Sequence, residues 1–209
     1  MTTKQALEII GGLSSPSKLP CYSYSIPAQK CITGNKLRDV KGSVCSKCYA
    51  LKGMYGFPVV KNALVKRFES LSNPQWVEAM TTAIKGKEKS GYFRFHDSGD
   101  IQSVNHLKQI IHIVNNLPHI QFWLPTREYG VISDYINDGN VIPNNLTIRL
   151  SSYMLEGMPP SAVARKLGVL TSGVSKDSFN CPAPSTENKC GNCRACWNKN
   201  VPNVNYKQH

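Results

Sequence analysis

The stretch Gly91-Tyr-Phe-Arg-Phe-His-Asp-Ser-Gly-Asp100 reads as a β-strand over residues 91–96 that ends in a turn. Side chains alternate between the two faces of an extended chain. Phe93 and Phe95 therefore point one way, and Tyr92, Arg94 and His96 the other. Two later stretches repeat the arrangement. Over 119–124, Ile120, Phe122 and Leu124 oppose Gln121 and Trp123; over 145–151, Leu146, Ile148 and Leu150 oppose Thr147, Arg149 and Ser151. Strands buried in a parallel sheet are usually apolar on both faces. Three successive strands that each keep one polar face predict a sheet whose second face lines something wet or ligand-filled. A half-exposed sheet is the alternative.

Helical patterns separate these strands. Residues 59–71 place Val60, Leu64, Phe68 and Leu71 at helical spacing. Asn73-Pro74 opens a second helix that runs to about Ile84. A third spans 103–116 from Ser103, and shorter ones cover roughly 130–138 and 159–166, before a last short strand over 168–172. Alternating strands and helices give parallel βαβ units and the α/β class. A polar lumen suits a partial (β/α) barrel, TIM-barrel-like, with its site at the carboxyl ends of the strands. Pattern alone leaves an open sheet available as well. Residues 57–175 form this core. Residues 1–56 and 176–209 read as irregular, cysteine-bearing segments wrapped on it, in one compact domain overall.

The 209 residues suffice for a sizeable core, and 41% hydrophobic residues exclude a disordered chain. Eight cysteines are therefore not needed to prop up a small fold. Residues 1–13 lack a signal-peptide pattern, and no apolar run approaches a spanning length. The expectation is a cytoplasmic chain without a membrane, where clustered cysteines mean metal or catalysis rather than disulfides. The net charge of +12 hints at an anionic ligand or nucleic acid, although the basic residues are spread along the chain. No Walker loop, GxSxG elbow, HExxH or GxGxxG is present, so hydrolase and nucleotide-dehydrogenase readings have no motif.

The cysteines carry the most specific signal. Cys190, Cys193 and Cys196 are spaced C-x2-C-x2-C, with Cys181-Pro182 upstream. These are the parts of a [4Fe–4S] site: two-residue gaps wrap three irons of a cube and a remote thiolate takes the fourth. Zinc is the alternative, since four thiolates suit a tetrahedral ion. Cys31, Cys45 and Cys48 form a second set with no obvious fourth member, the arrangement that leaves one iron open. Cys21 reads as a buried small hydrophobe, with a role as that fourth ligand left open. A competing arrangement joins Cys45-x2-Cys48 and Cys193-x2-Cys196 in one zinc site.

Cys45-Ser-Lys-Cys-Tyr-Ala-Leu-Lys-Gly53, Phe93-Arg-Phe-His-Asp-Ser-Gly-Asp100, Trp123-Leu-Pro-Thr-Arg127, Cys181-Pro-Ala-Pro and Cys190-Gly-Asn-Cys-Arg-Ala-Cys-Trp197 resemble the phage gene product 88 family. The resemblance spans roughly residues 20–209 and implies a phage or prophage origin, hence host cytoplasm. A looser resemblance is to radical S-adenosylmethionine enzymes. It implies a partial barrel with a three-cysteine, site-differentiated cluster, S-adenosylmethionine as cofactor and an external electron donor. On that resemblance Ser98, Gly99 and Asp100 stand where the methionine amine is held, and Arg149 and Ser151 face its carboxylate or the ribose. The thirteen residues between Cys31 and Cys45 exceed the short first gap of that family, and its aromatic before the last cysteine is Lys47 here, with Tyr49 after it.

His96 and Asp97, at a strand end, are candidates for acid–base work, and Arg127 for bidentate binding of a carboxylate or phosphate. A structural histidine and a plain salt bridge are the competing roles. His106 and His112, on the helix 103–116, read as surface residues. Trp197 is expected to pack over the C-terminal thiols and exclude water. Three functions follow: a radical-S-adenosylmethionine-like enzyme with two clusters, a non-catalytic iron–sulfur protein with a basic binding surface, and a zinc-stapled binding module.

Overall fold

A computed structural model describes residues 1–208. Six strands form one parallel sheet: β1 (Ser23–Tyr24), β2 (Tyr92–Phe95), β3 (Gln121–Thr126), β4 (Leu146–Ser151), β5 (Leu170–Ser175) and β6 (Asn203–Lys207). Their order in the sheet is their order in the chain. Every connection therefore steps the same way, and right-handed crossovers then put the connecting helices on a single face. The α/β class holds. The sheet is open: among the described residues its edges are β1 and β6.

The helices are α1 (Thr3–Ile10), α2 (Ile32–Arg38), α3 (Pro58–Ser70), α4 (Trp76–Lys87), α5 (Val104–Asn116), α6 (Tyr129–Asn137) and α7 (Ser161–Lys166). In the helical layer α1 packs on α4, α4 on α5 and α5 on α6. Local signals set their ends. Ser103 caps α5 by accepting the His106 amide at 3.1 Å, and Pro58 opens α3. Asn73-Pro74 forms a turn ahead of α4 instead of its first residues: Asn73 Oδ1 accepts the Gln75 amide at 2.9 Å, so the helix starts at Trp76. The flanking segments are less irregular than their composition implies, since α1, β1 and α2 lie in 1–56 and β6 in 176–209.

The two sheet faces differ as the alternation predicts. Phe93, Phe95, Phe122, Leu124, Leu146, Ile148 and Leu150 join the helices in the main core. The opposite face is not half-exposed. Every residue of β4 is buried, because the C-terminal segment covers Thr147 and Arg149. Trp123, Trp197, Cys196, Cys21 and Val204 form a second, smaller apolar cluster there. No helix among the described residues is long and apolar enough to cross a membrane.

Candidate functional site

The chain leaves β1, turns through Ala28–Lys30 and reaches Cys31, the residue before α2. Helix α2 then packs against the turn Cys45–Lys47. The long gap between the first two thiols is thus a helical detour that brings them together again. Gly34 on α2 makes this possible: a Cβ there would stand 2.8 Å from Cys31 Cβ, 3.5 Å from Cys31 Sγ and 3.6 Å from Cys45 Sγ. The Cys48 amide donates to Cys45 O at 3.3 Å and closes the two-residue gap. Burial pushes the Cys31 thiol up, nearby Asp100, Cys48 and Cys45 add to this, and Arg127 pulls it down.

The C-terminal thiols sit in the connection from β5 to β6. Backbone bonds shape it: Cys193 N donates to Cys190 O at 2.9 Å, Cys190 N to Lys18 O at 2.9 Å, and Cys181 N to Asn205 O at 3.1 Å. A hollow beside the sheet is lined by Cys181, Cys190, Cys193, Cys196 and Trp197. The Trp197 indole N–H donates to Phe93 O at 2.9 Å, and its ring meets Tyr92 and Trp123 edge-on at 5.4 and 5.3 Å. Burial pushes the Cys196 thiol up to about 11, against the Tyr206 hydroxyl, Arg94 and Arg149.

Between the two thiol sets, at the carboxyl ends of the strands, lies a cavity of about 540 Å³. Cys31, Cys45 and Cys48 line one part of it, and Cys181, Cys190 and Cys196 another. His96, Asp97, Ser98, Gly99, Asp100, Arg127 and Ser151 all line it, so the expected site residues converge except for Cys193, which lines the adjoining hollow, and Arg149.

Arg149 is fully buried away from the cavity. Its Nε, Nη1 and Nη2 donate to the carbonyls of Cys196, Thr171, Ala195, Asn198 and Val201 at 2.8–3.1 Å. It anchors the tail instead of presenting charge to a ligand. Cys21 also sits elsewhere than a fourth N-terminal ligand would: it packs with Trp123, Cys196 and Trp197, and burial pushes its thiol up to about 12. His106 is buried at 4% exposure, its ring against Trp76 and His96; His112 is exposed as expected. The helical period of α5 turns His106 inward with Leu107 and Ile110.

Both cavity acids have internal partners. Asp97 accepts from the hydroxyls of Ser23, Ser25 and Tyr55, the last at 2.8 Å. Asp100 accepts from Ile101 N at 2.8 Å, Thr126 Oγ1 at 2.6 Å and Arg127 N at 2.8 Å, tying the end of β2 to the end of β3. Burial still pushes its carboxyl up to about 6, against those three bonds. Gly99 has φ +75°, and a Cβ there would stand 2.7 Å from Ile26 O. His96, with φ 58°, has 3% exposure, and neither ring nitrogen makes a hydrogen bond of good geometry, although the Ser98 backbone lies close enough to hold the imidazole weakly. Its pKa is lowered to about 3 by burial and then by Arg94.

Arg94 and Tyr55 line the cavity without being among the expected site residues. Arg94 stands on the polar face beside His96, and that placement is the signal the sequence offers for it. Its guanidinium stacks on Trp123 at 4.2 Å. Nothing local marks Tyr55, whose partner Asp97 is 42 residues away.

All eight cysteines are free thiols. Among the described residues no three His, Cys, Asp or Glu side chains are grouped as a single metal ion requires. The family model described as "Gene product 88" matches residues 2–199. No curated protein and no solved structure matches the chain.

Proposed function

The chain belongs to the gene product 88 family, and from that premise we propose that it is an iron–sulfur protein acting as a radical-S-adenosylmethionine-like enzyme. Cys31, Cys45 and Cys48 would hold one [4Fe–4S] cluster with an open iron, and Cys181, Cys190, Cys193 and Cys196 a second, fully ligated one. One observation carries the reading: six of these seven thiols line a single cavity at the carboxyl ends of parallel strands, in two separate sets, with Cys193 in the adjoining hollow. The stepwise winding of the sheet, with helices on one face, supports a partial-barrel kinship.

The chemistry of the donors, seven thiols in two sets, is that of cluster ligands. A cubane spreads its thiolates over separate irons, a wider frame than one ion needs. Gly34 leaves bare the space between Cys31 and Cys45. Arg127 and Arg38 near Cys45 offset thiolate charge, as do Arg94 and Arg149 near Cys196. A reduced cluster held by Cys31, Cys45 and Cys48 would supply the electron for reductive cleavage of a sulfonium cofactor and be refilled by an external donor. The chain's own residues then have positioning roles. Asp100 locks the loop after β2 against β3, Gly99 lets that loop pack closely on the Ile26 carbonyl, and Trp197 keeps water from the C-terminal set. Ser98 and Ser151 offer hydroxyls to the cofactor, while His96 and Asp97 remain the candidates for proton handling.

Anaerobic purification tests the reading, with iron and acid-labile sulfide counted per chain. Two cubanes give about eight of each. Reduction with S-adenosylmethionine present should release 5′-deoxyadenosine. A brown protein that releases none is a non-catalytic cluster protein; a colourless, sulfide-free, zinc-containing one refutes the scheme.

A further inference from the structure

We propose that the cavity wall between the two thiol sets, built by Arg94, His96 and Ser98 on the end of β2, binds the anionic group of a small molecule, a carboxylate or a phosphate. Seven buried side-chain polar atoms among the described residues make no hydrogen bond of good geometry, and six belong to residues that line this one cavity: Arg38 Nε, Arg94 Nε, both His96 nitrogens, Ser98 Oγ and Trp123 Nε1. A buried polar group left unpaired is destabilising, so their concentration in one place marks where a partner belongs. His96, Ser98 and Trp123 are each only 3% exposed, which makes this a built interior and not a chance patch of surface.

The sign of the missing partner follows from charge. Lys18, Arg38, Lys47, Arg94, Arg127 and Lys207 line the cavity against only Asp97 and Asp100. Both acids accept hydrogen bonds from Ser, Thr, Tyr or backbone donors. None of the six cations belongs to an ion pair among the described residues. Charge on bound thiolates would answer part of this excess near the cysteines. It does not supply acceptors for the neutral Ser98 hydroxyl or for Arg94 Nε on a wall that carries no thiol. An oxyanion does both, and the volume lies in the range of ordinary ligand pockets.

The inference stands whether or not the thiols hold iron. Its test is calorimetric titration of the full chain, as purified without oxygen, with inorganic phosphate and separately with succinate at low salt. Saturable binding of one is expected; phosphate alone or succinate alone identifies the group. Arg94→Gln should weaken it at least tenfold. Ser98→Ala removes a hydroxyl that bonds nothing in the fold, so it should fold normally and weaken binding severalfold. Absence of saturable binding, or binding that Ser98→Ala and every folded Arg94 variant leave unchanged, overturns the inference. Iron is counted on the same samples: a colourless protein that binds keeps the subsite and loses the clusters, and a brown one that does not bind does the reverse.

Discussion

Arg149 Nε donates to the carbonyl of Cys196 at 3.0 Å, from a side chain with no solvent exposure, 47 residues earlier in the chain. Four more carbonyls converge on the same guanidinium, three of them in the segment that carries the C-terminal thiols. An ammonium has three donors and no planar fork, so lysine cannot reproduce this. Arg149→Lys and Arg149→Met should each destabilise the fold by about 3 kcal/mol or more in chemical denaturation. Alkylation of Cys193 and Cys196 should accelerate in the folded protein. Unchanged alkylation would mean the tail is held by its other bonds.

Gly34→Ala sets a methyl group against Cys31. The overlap should cost about 1–3 kcal/mol and disturb the N-terminal thiols selectively. If the clusters are present, iron should fall from about eight per chain to about four, with the tail cluster intact. Equal loss from both sets would disprove the separation of the two sites.

Cys31→Ala and Cys193→Ala should each remove about half of the bound iron. Only Cys31→Ala should abolish formation of 5′-deoxyadenosine outright, because on the proposed reading its set would hold the cluster with the open iron. Colour lost in Cys193→Ala and fully kept in Cys31→Ala would leave a single C-terminal cluster.

Acid should destabilise the chain through two buried imidazoles. Burial lowers the pKa of both His96 and His106 to about 3, so each folds neutral. Between about pH 3 and the unfolded value near 6.5 the unfolded chain binds more protons. Stability then rises with pH across that window and is lost as pH falls through it. Asp100 runs the other way: raised to about 6, it makes stability fall as pH rises from about 4 to 6. Two histidines outweigh one carboxyl, so the net limb still rises with pH from about 4 to 6 and flattens above the unfolded histidine value near 6.5. His106→Gln, whose side chain stays neutral, should flatten it by at most about 1.4 kcal/mol per pH unit. An unchanged slope in urea titrations from pH 4 to 7 would show that His106 charges without unfolding.

Much of this fold is legible in the sequence because strand alternation is a local property. A period of two alone places Phe93, Phe122 and Ile148 on the apolar faces of their strands, and each lies in the main core. The tail cysteines are equally legible, since their spacing is short enough for local geometry to gather them. Short or mixed segments are not. β1 has two residues and β6 follows a loop rich in Asn and Pro, and only pairing with β2 and β5 makes them strands.

The α/β class, the polar sheet face and the two sets of thiols are written into the chain itself, because spacing within a few residues dictates which side chains share a face or a loop. Only the folded arrangement decides that both sets open onto one cavity, that Arg149 holds the tail and not a ligand, that Cys21 lies with the tail, and that His106 is interior. Each of those depends on segments tens of residues apart meeting across the sheet, and no local periodicity encodes which of them meet.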